Sequence, residues 1–195
     1  IQRPTKHVFV KVVTLFNNET KLIKKAIQHN RKAQHTLYEM HAPKMLSVCR
    51  YYIKDLQKAE EVMLNGFLKV FTNLKQFKSE GSFEGWIRRI MIRESISFLR
   101  QDNQLFFTED THPYTEIEDS TSQQYDVAHL QKMIDNLPDG YKMVFVMYAI
   151  EGYKHSEIAK ELNITEGTSK SQLYKARQLL QTQINNQNTK EYGTK

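Results

Sequence analysis

The sequence predicts an all-α chain, built as two small helical domains joined by a flexible acidic linker. Three observations lead there. Only 4 Pro and 7 Gly occur in 195 residues, too few for a loop-rich or extended fold, and Lys, Glu, Gln, Leu and Ile dominate, a mixture that suits helices. Apolar residues recur at spacings of three and four along most of the chain, the period of a helix with one buried face. The net charge of +6 is unevenly placed: from Lys21 to Arg100 there are sixteen Lys or Arg against seven Asp or Glu, whereas 101–126 holds seven acids and no base. A basic block, an acidic connector and a mixed C-terminal part imply two modules and a linker. The basic block points to a polyanionic partner.

The elements follow in order. Residues 1–19 are an N-terminal extension beginning at Ile1; the run Val8–Val13 is strand-like but has no partner strand, so it is expected to be loose or appended to a helix. Val8 to Phe16 is short, is broken by Lys11 and lacks a small-residue cleavage site, unlike a signal peptide. Glu19 or Thr20 can cap a first helix that turns Leu22, Ile23, Ala26 and Ile27 inward. Asn30 punctuates, and a second helix runs through Ala33, Leu37, Tyr38 and Met40. Pro43 is read as the start of a third, where a missing N–H costs nothing, with Met45, Leu46, Val48, Cys49, Tyr52 and Ile53. Asp55 caps a long helix with Ala59, Val62, Met63, Phe67, Val70, Phe71 and Leu74 on its inner face. Lys75 to Gly85 reads as a loop, and Trp86 to Arg100 as the last helix of this domain, spanning 20–101. The acidic linker is 102–126, a second domain is 127–185, and 186–195 is a disordered tail.

The second domain contains the most informative stretch, 152–180. Ile158, Ala159 and Leu162 make a short apolar stripe; Asn163 can adopt the left-handed backbone that ends a helix; Thr165 is a good N-cap with Glu166 behind it. Leu173, Ala176 and Leu180 then form a second stripe, while Lys170, Ser171, Gln172, Tyr174, Lys175 and Arg177 are expected on the opposite, outward face. A short helix, a tight turn and a longer helix with a basic, polar outer face describe a helix-turn-helix, whose second helix enters a major groove. The plainer alternative is a surface helix with solvated charges.

Residue order adds to the periodicity. Leu137-Pro138, Glu151-Gly152-Tyr153, Glu157-Ile158-Ala159 and Gly167-Thr168-Ser169-Lys170-Ser171-Gln172-Leu173 followed by Ala176-Arg177 resemble region 4 of bacterial RNA polymerase sigma factors, nearest to the extracytoplasmic-function (ECF) class. Three positions depart from the family's usual form: Asn163 for Gly, Ser169 at a site that is usually aliphatic, and Gln172 for Arg. The first is physically harmless, the second is expected to weaken core packing, and the third can alter base preference or remove a phosphate contact. In the N-terminal half Ala33, Leu37-Tyr38, Ala59-Glu60-Glu61, Phe67 to Phe71, Phe77, Gly81-Ser82-Phe83, Trp86-Ile87, Arg89-Ile90 and Leu99-Arg100 resemble region 2 of the same family. The two likenesses occur in the family's order.

The resemblance implies a promoter-specificity subunit. Its partners would be core RNA polymerase, through clamp and flap elements, promoter DNA in duplex and single-stranded form, and an anti-sigma factor, all in the cytoplasm without membrane insertion. Glu60, Glu61, Leu64, Asn65 and Phe67 would contact the polymerase. Lys78, Ser79, Ser82, Phe83, Arg88, Arg89, Arg93 and Arg100 would bind and melt the minus-ten element, where a basic helix beside aromatic side chains suits unpaired bases. Thr168, Lys170, Ser171, Gln172, Tyr174, Lys175 and Arg177 would read the minus-thirty-five element. The linker's acids, among them Glu109 and Asp110, could mimic RNA in a basic channel or serve as a solvated tether.

Other classes find less support. The single Cys49 excludes a disulfide framework and a cysteine-rich zinc site. The seven His show no metal-ligand spacing, and neither a phosphate-binding loop nor a dinucleotide fingerprint occurs. No cofactor and no catalysis are therefore expected. The rival reading is a free-standing helix-turn-helix regulator with an N-terminal sensing or dimerisation domain. An enzyme acting on nucleic acid is a weaker third, for want of a catalytic cluster.

Overall fold

The computed structural model describes the backbone of residues 18–102 and 127–192, and every regular element in it is helical. The strand-like run Val8–Val13 and the acids of the linker from Glu109 onward lie outside the described residues. The chain divides into two compact units, residues 1–49 with 57–94, and residues 50–56 with 95–195.

In the first unit, α1 (18–27) buries Ile23 and Ala26, as the stripe predicts. His29 takes a left-handed conformation (φ 61°) and turns the chain into α2 (Arg31–Tyr52), whose start is capped by Asn30 Oδ1 accepting the Ala33 N–H at 3.0 Å. The sequence predicts two helices here, divided at Pro43; the structure has one, with Pro43 inside it. The reason is visible in burial. Leu37, His41, Met45, Val48, Cys49 and Tyr52 form one uninterrupted buried stripe. That packing outweighs one lost backbone bond, and Pro43 itself is exposed. His41 is held at 3.0 Å from Glu19 Oε1 on α1 and meets the ring of Phe83 edge-on, at 5.5 Å.

Helix α3 (Leu56–Thr72) buries Ala59, Val62, Met63, Gly66, Phe67 and Val70. A 3₁₀ turn, Leu74–Gln76, follows, and then α4 (Phe83–Gln101). The expected loop is thus shorter than predicted at both ends. Ser82 Oγ accepts the Gly85 N–H at 3.0 Å, so the helix starts at Phe83 rather than Trp86 and takes Gly85 into its first turn. Helices α3 and α4 approach closely at Gly66. A Cβ there would lie 2.4 Å from the sulfur of Met91, which is itself fully buried.

In the second unit, α5 (Val127–Asp135) precedes α6 (Asp139–Phe145), which Pro138 opens and which runs into a π-helical turn, Val146–Ile150. Gly152, at φ 74°, then lets the Tyr153 N–H reach back to the Met147 carbonyl at 2.9 Å. Helix α7 (His155–Leu162) starts with Glu157 accepting the Lys154 N–H at 2.8 Å and ends at Asn163, which is left-handed (φ 56°, ψ 49°) as its position predicts. Thr165 Oγ1 accepts the Thr168 N–H at 2.9 Å and caps α8 (Glu166–Tyr192). Helix α8 packs on both α6 and α7. It also passes residue 185, where a disordered tail was expected, because no Pro or Gly interrupts the chain before Gly193.

Within this unit the Arg50 guanidinium donates to both carboxylate oxygens of Asp135, at 2.9 and 2.6 Å, and Gln131 adds a third bond at 3.2 Å. Burial pushes the Asp135 carboxyl up, but these hydrogen bonds and the Arg50 charge outweigh it and hold the group below the usual carboxylate range.

The α3–α4 crossing yields a direct test. Gly66→Val places two methyl groups against Met91 in a filled core. It should lower unfolding stability by about 1–3 kcal/mol, read as a lower urea midpoint with an unchanged slope. An unchanged midpoint would mean that the two helices do not approach as described.

Candidate nucleic-acid interface

The turn from Asn163 to Thr165 sets the second helix against the first as a helix-turn-helix requires. Ile158, Ala159 and Leu162 of α7 and Leu173 and Ala176 of α8 are buried, as their spacing predicts, whereas Leu180, expected to continue the second stripe, is only half-buried. The outward face differs from the expected one. Lys170 is exposed, and Tyr174, Lys175 and Arg177 are partly so. Ser171 and Gln172, however, are only 1% and 2% exposed, and Thr168 is buried beside them. In this conformation none of these three presents itself to a groove, which corrects their placement among the outward base-reading residues. The physical reason is that α8 packs on α5, α6 and α7, so its buried sector is wider than one stripe. Small hydroxyls fit a crowded crossing and find partners on the helix itself: Ser171 Oγ donates to the Thr168 carbonyl at 2.9 Å, and the Thr165 and Thr168 hydroxyls lie 2.8 Å apart.

Ser169, at the position that departs from the aliphatic habit, is fully buried. Its hydroxyl does not go unpaired: it lies 2.9 Å from Nδ1 of His155, the first residue of α7. The imidazole stacks on Tyr148 of the π turn, with ring centroids 4.6 Å apart and planes at 23°, and the Arg177 guanidinium sits 5.8 Å from the centroid of the same tyrosine. Burial, first, and then the nearby Lys170 and Arg177 charges push the His155 imidazole below its ordinary value, with Glu166 opposing. Sequence reasoning saw His155 only as one of seven histidines without metal-ligand spacing. The signal that could have found it was the unusual Ser169 fourteen residues on.

In the first unit, Lys78, Ser79 and Ser82 are exposed on the segment before α4, where Ser79 is left-handed (φ 59°) and Gly81 has φ 154°. Arg89 and Arg93 are exposed on α4 and Arg88 is partly so; Arg89 and Arg93, four apart, share a face. Arg100 belongs to the second unit, where its guanidinium donates to the Glu161 carbonyl at 3.1 Å. Phe83 is corrected: at 2% exposure it is core, edge-on to Phe77 at 5.2 Å and stacked on Trp86 at 5.9 Å. The half-exposed rings are Phe77 and Trp86, 5.6 Å apart, so any base platform is theirs.

On α3, Glu60, Glu61, Leu64 and Asn65 are exposed, as a contact surface requires, but Phe67 is 3% exposed and belongs to the core. It packs edge-on to Tyr38 at 4.8 Å, which removes it from the contact set. Leu68, 67% exposed, lies outside, four residues beyond the 53% exposed Leu64. Among the described residues no group of three or more His, Cys, Asp or Glu could hold a metal ion, and no helix is long and apolar enough to cross a membrane.

Residues 37–104 match the family model for sigma-70 region 2, and residues 129–180 match that for sigma-70 region 4. The chain is 25% identical over 181 residues to the ECF RNA polymerase sigma factor SigW of Bacillus subtilis, covering 84% of this chain and 97% of that protein. It is 23% identical over 177 residues to the ECF RNA polymerase sigma-E factor of Haemophilus influenzae, covering 84% and 93%. Among solved structures, the sigma factor RpoE from Bartonella quintana, crystallised with the anti-sigma factor NepR, shares the fold at a TM-score of 0.52 and 18% identity, over 77% of this chain and 96% of that one. With both modules matched in order, and relatives covered almost end to end, the chain belongs to the sigma-70 family of RNA polymerase sigma factors, in its extracytoplasmic-function class.

Proposed function

We propose that the protein joins core RNA polymerase in the cytoplasm and selects promoters, reading an upstream minus-thirty-five element as duplex and opening DNA at the minus-ten element. The observation that carries the upstream half is the outer face of α8, where Lys170 is exposed and Tyr174, Lys175 and Arg177 are partly so, beyond a capped turn. Lysine and arginine there suit phosphates, and the Tyr174 edge suits bases. The exposed Arg89 and Arg93 beside Phe77 and Trp86 support the downstream half, because charge neutralisation and stacking together favour an unpaired strand. Glu60, Glu61, Leu64, Asn65 and Leu68 form the surface offered to the polymerase, mixed acidic and apolar. An anti-sigma factor is the proposed antagonist, and would have to cover one of these faces. No catalytic role is assigned to the chain.

Purified core polymerase with a randomised upstream element tests this reading. The chain should convert non-specific synthesis into initiation at a defined sequence. Specific duplex binding without polymerase, and no effect on initiation, would favour the free-standing regulator instead.

Within that assay, Lys170→Ala and Arg177→Ala should weaken all promoters alike and reduce the salt slope by about 1 each. Tyr174→Ala should cost about 1–3 kcal/mol at one or two positions and relax preference there. Ser171→Ala should leave preference unchanged, because Ser171 is inside. Altered preference in Ser171→Ala with none in Tyr174→Ala would contradict the orientation of α8.

For the downstream half, Arg89→Ala with Arg93→Ala should slow opening on duplex templates by about tenfold or more, each lost phosphate contact being worth on the order of 1 kcal/mol. A pre-melted bubble should restore most of the rate. Equal impairment on both templates would assign the arginines to folding or to polymerase binding.

A further inference from the structure

Ser169 and His155 are tied to each other across the helix-turn-helix. The imidazole is half-buried, with Tyr148 of the π turn stacked on its face and Ser169 Oγ at 2.9 Å from Nδ1. The charged groups that reach it lie on α8: Glu166, Lys170 and Arg177. Two of the three are cations, and Arg177 is further drawn to the site by the ring of Tyr148. A neutral imidazole suits this site; an imidazolium is desolvated and faces two like charges. Ser169 lies one residue before the exposed Lys170, so whatever holds its hydroxyl also holds the start of the groove-facing stripe.

We infer that His155 is a positioning residue for α8: in its neutral form it seats Ser169 and fixes the first turns of the helix, and acidification loosens them. The logic is linkage. Local opening releases the imidazole to its ordinary behaviour, so the open form takes up protons more readily than the closed one. The seat is complete above the ordinary histidine range, near pH 6.5, and weakens as pH falls below it. The consequence for promoters rests on α8 being the helix that reads DNA; the seat itself does not.

The test uses the full chain without polymerase or DNA. Amide hydrogen exchange across 166–173, corrected for intrinsic rates, is compared at about pH 7.5 and about pH 5.5, on either side of the ordinary imidazole value. Protection in the wild-type protein should fall about threefold or more on acidification through coupled protonation and opening. His155→Asn, which keeps a hydrogen-bonding side chain but does not titrate, should show a flat ratio. Ser169→Val should lessen the fall while the His155 resonances still titrate in the NMR spectrum, which separates a path through Ser169 from a general effect of acid. Should His155→Asn not fold, wild type against Ser169→Val decides. A flat wild-type ratio, or an equal fall in wild type and Ser169→Val, overturns the inference. The exchange measurement can fail while sigma activity stands, and the reverse.

Discussion

The seating of α8 is the constraint on which the second half of the protein depends. A left-handed residue at Asn163 ends α7, and Thr165 caps α8 three residues after Leu162, so the turn between the helices is set by one backbone conformation and one short capping side chain. Once α8 is pressed against both α6 and α7, its rotation is no longer free. Positions 168, 169, 171, 172, 173 and 176 go inside, and the outer face is what remains. The hydroxyls on the buried sector are then necessities of space: each is small, and Ser169 and Ser171 each hydrogen-bond within the helix pair. A buried hydroxyl left without a partner would cost about 1–3 kcal/mol, so the pairing of Ser169 with His155 is part of what makes this sequence compatible with the fold.

The first half works by a comparable constraint. Gly66 lets α3 and α4 close on each other, and Phe67 and Phe83, whose rings could have served as contact surfaces, fill the interior instead. The outer face of α3 is thereby defined as a run of acids and leucines, Glu60, Glu61, Leu64 and Leu68, with two large apolar groups kept in solvent. Leaving a leucine exposed forgoes about 1.5–3 kcal/mol of burial, and Leu64 and Leu68 lie four residues apart on one face of the helix. At the start of α4 the core took Phe83 and left Phe77 and Trp86 partly exposed at its edge.

The helical class, both apolar stripes of the helix-turn-helix and the turn at Asn163 were legible in the sequence, because each follows from local periodicity or from one residue's backbone freedom. The failures have a common cause, which is tertiary packing overriding a local rule. Pro43 reads as a helix start, yet the buried stripe from Leu37 to Tyr52 carries the helix through it. Ser171 and Gln172 read as outward because they are polar, but polarity predicts exposure only where a helix has one packed face. Phe67 and Phe83 read as contact residues from the family likeness, although an aromatic ring at helical spacing is first a candidate for the core. His155 could not be read at all without its distance to Ser169, a relation between two helices that no local pattern contains.

Side-chain accessibility along α8 tests the central claim most directly. Single cysteines at positions 170, 171, 172 and 174, in a chain whose buried Cys49 is replaced by serine, would be labelled with a thiol reagent under native conditions. The account predicts rapid labelling at 170, intermediate labelling at 174, and labelling at 171 and 172 slower than at 170 by about tenfold or more, since a buried position reacts only through local opening. Equal rates at all four positions would contradict it, because the helix would then be presenting Ser171 and Gln172 to solvent and the seat described for α8 would not exist.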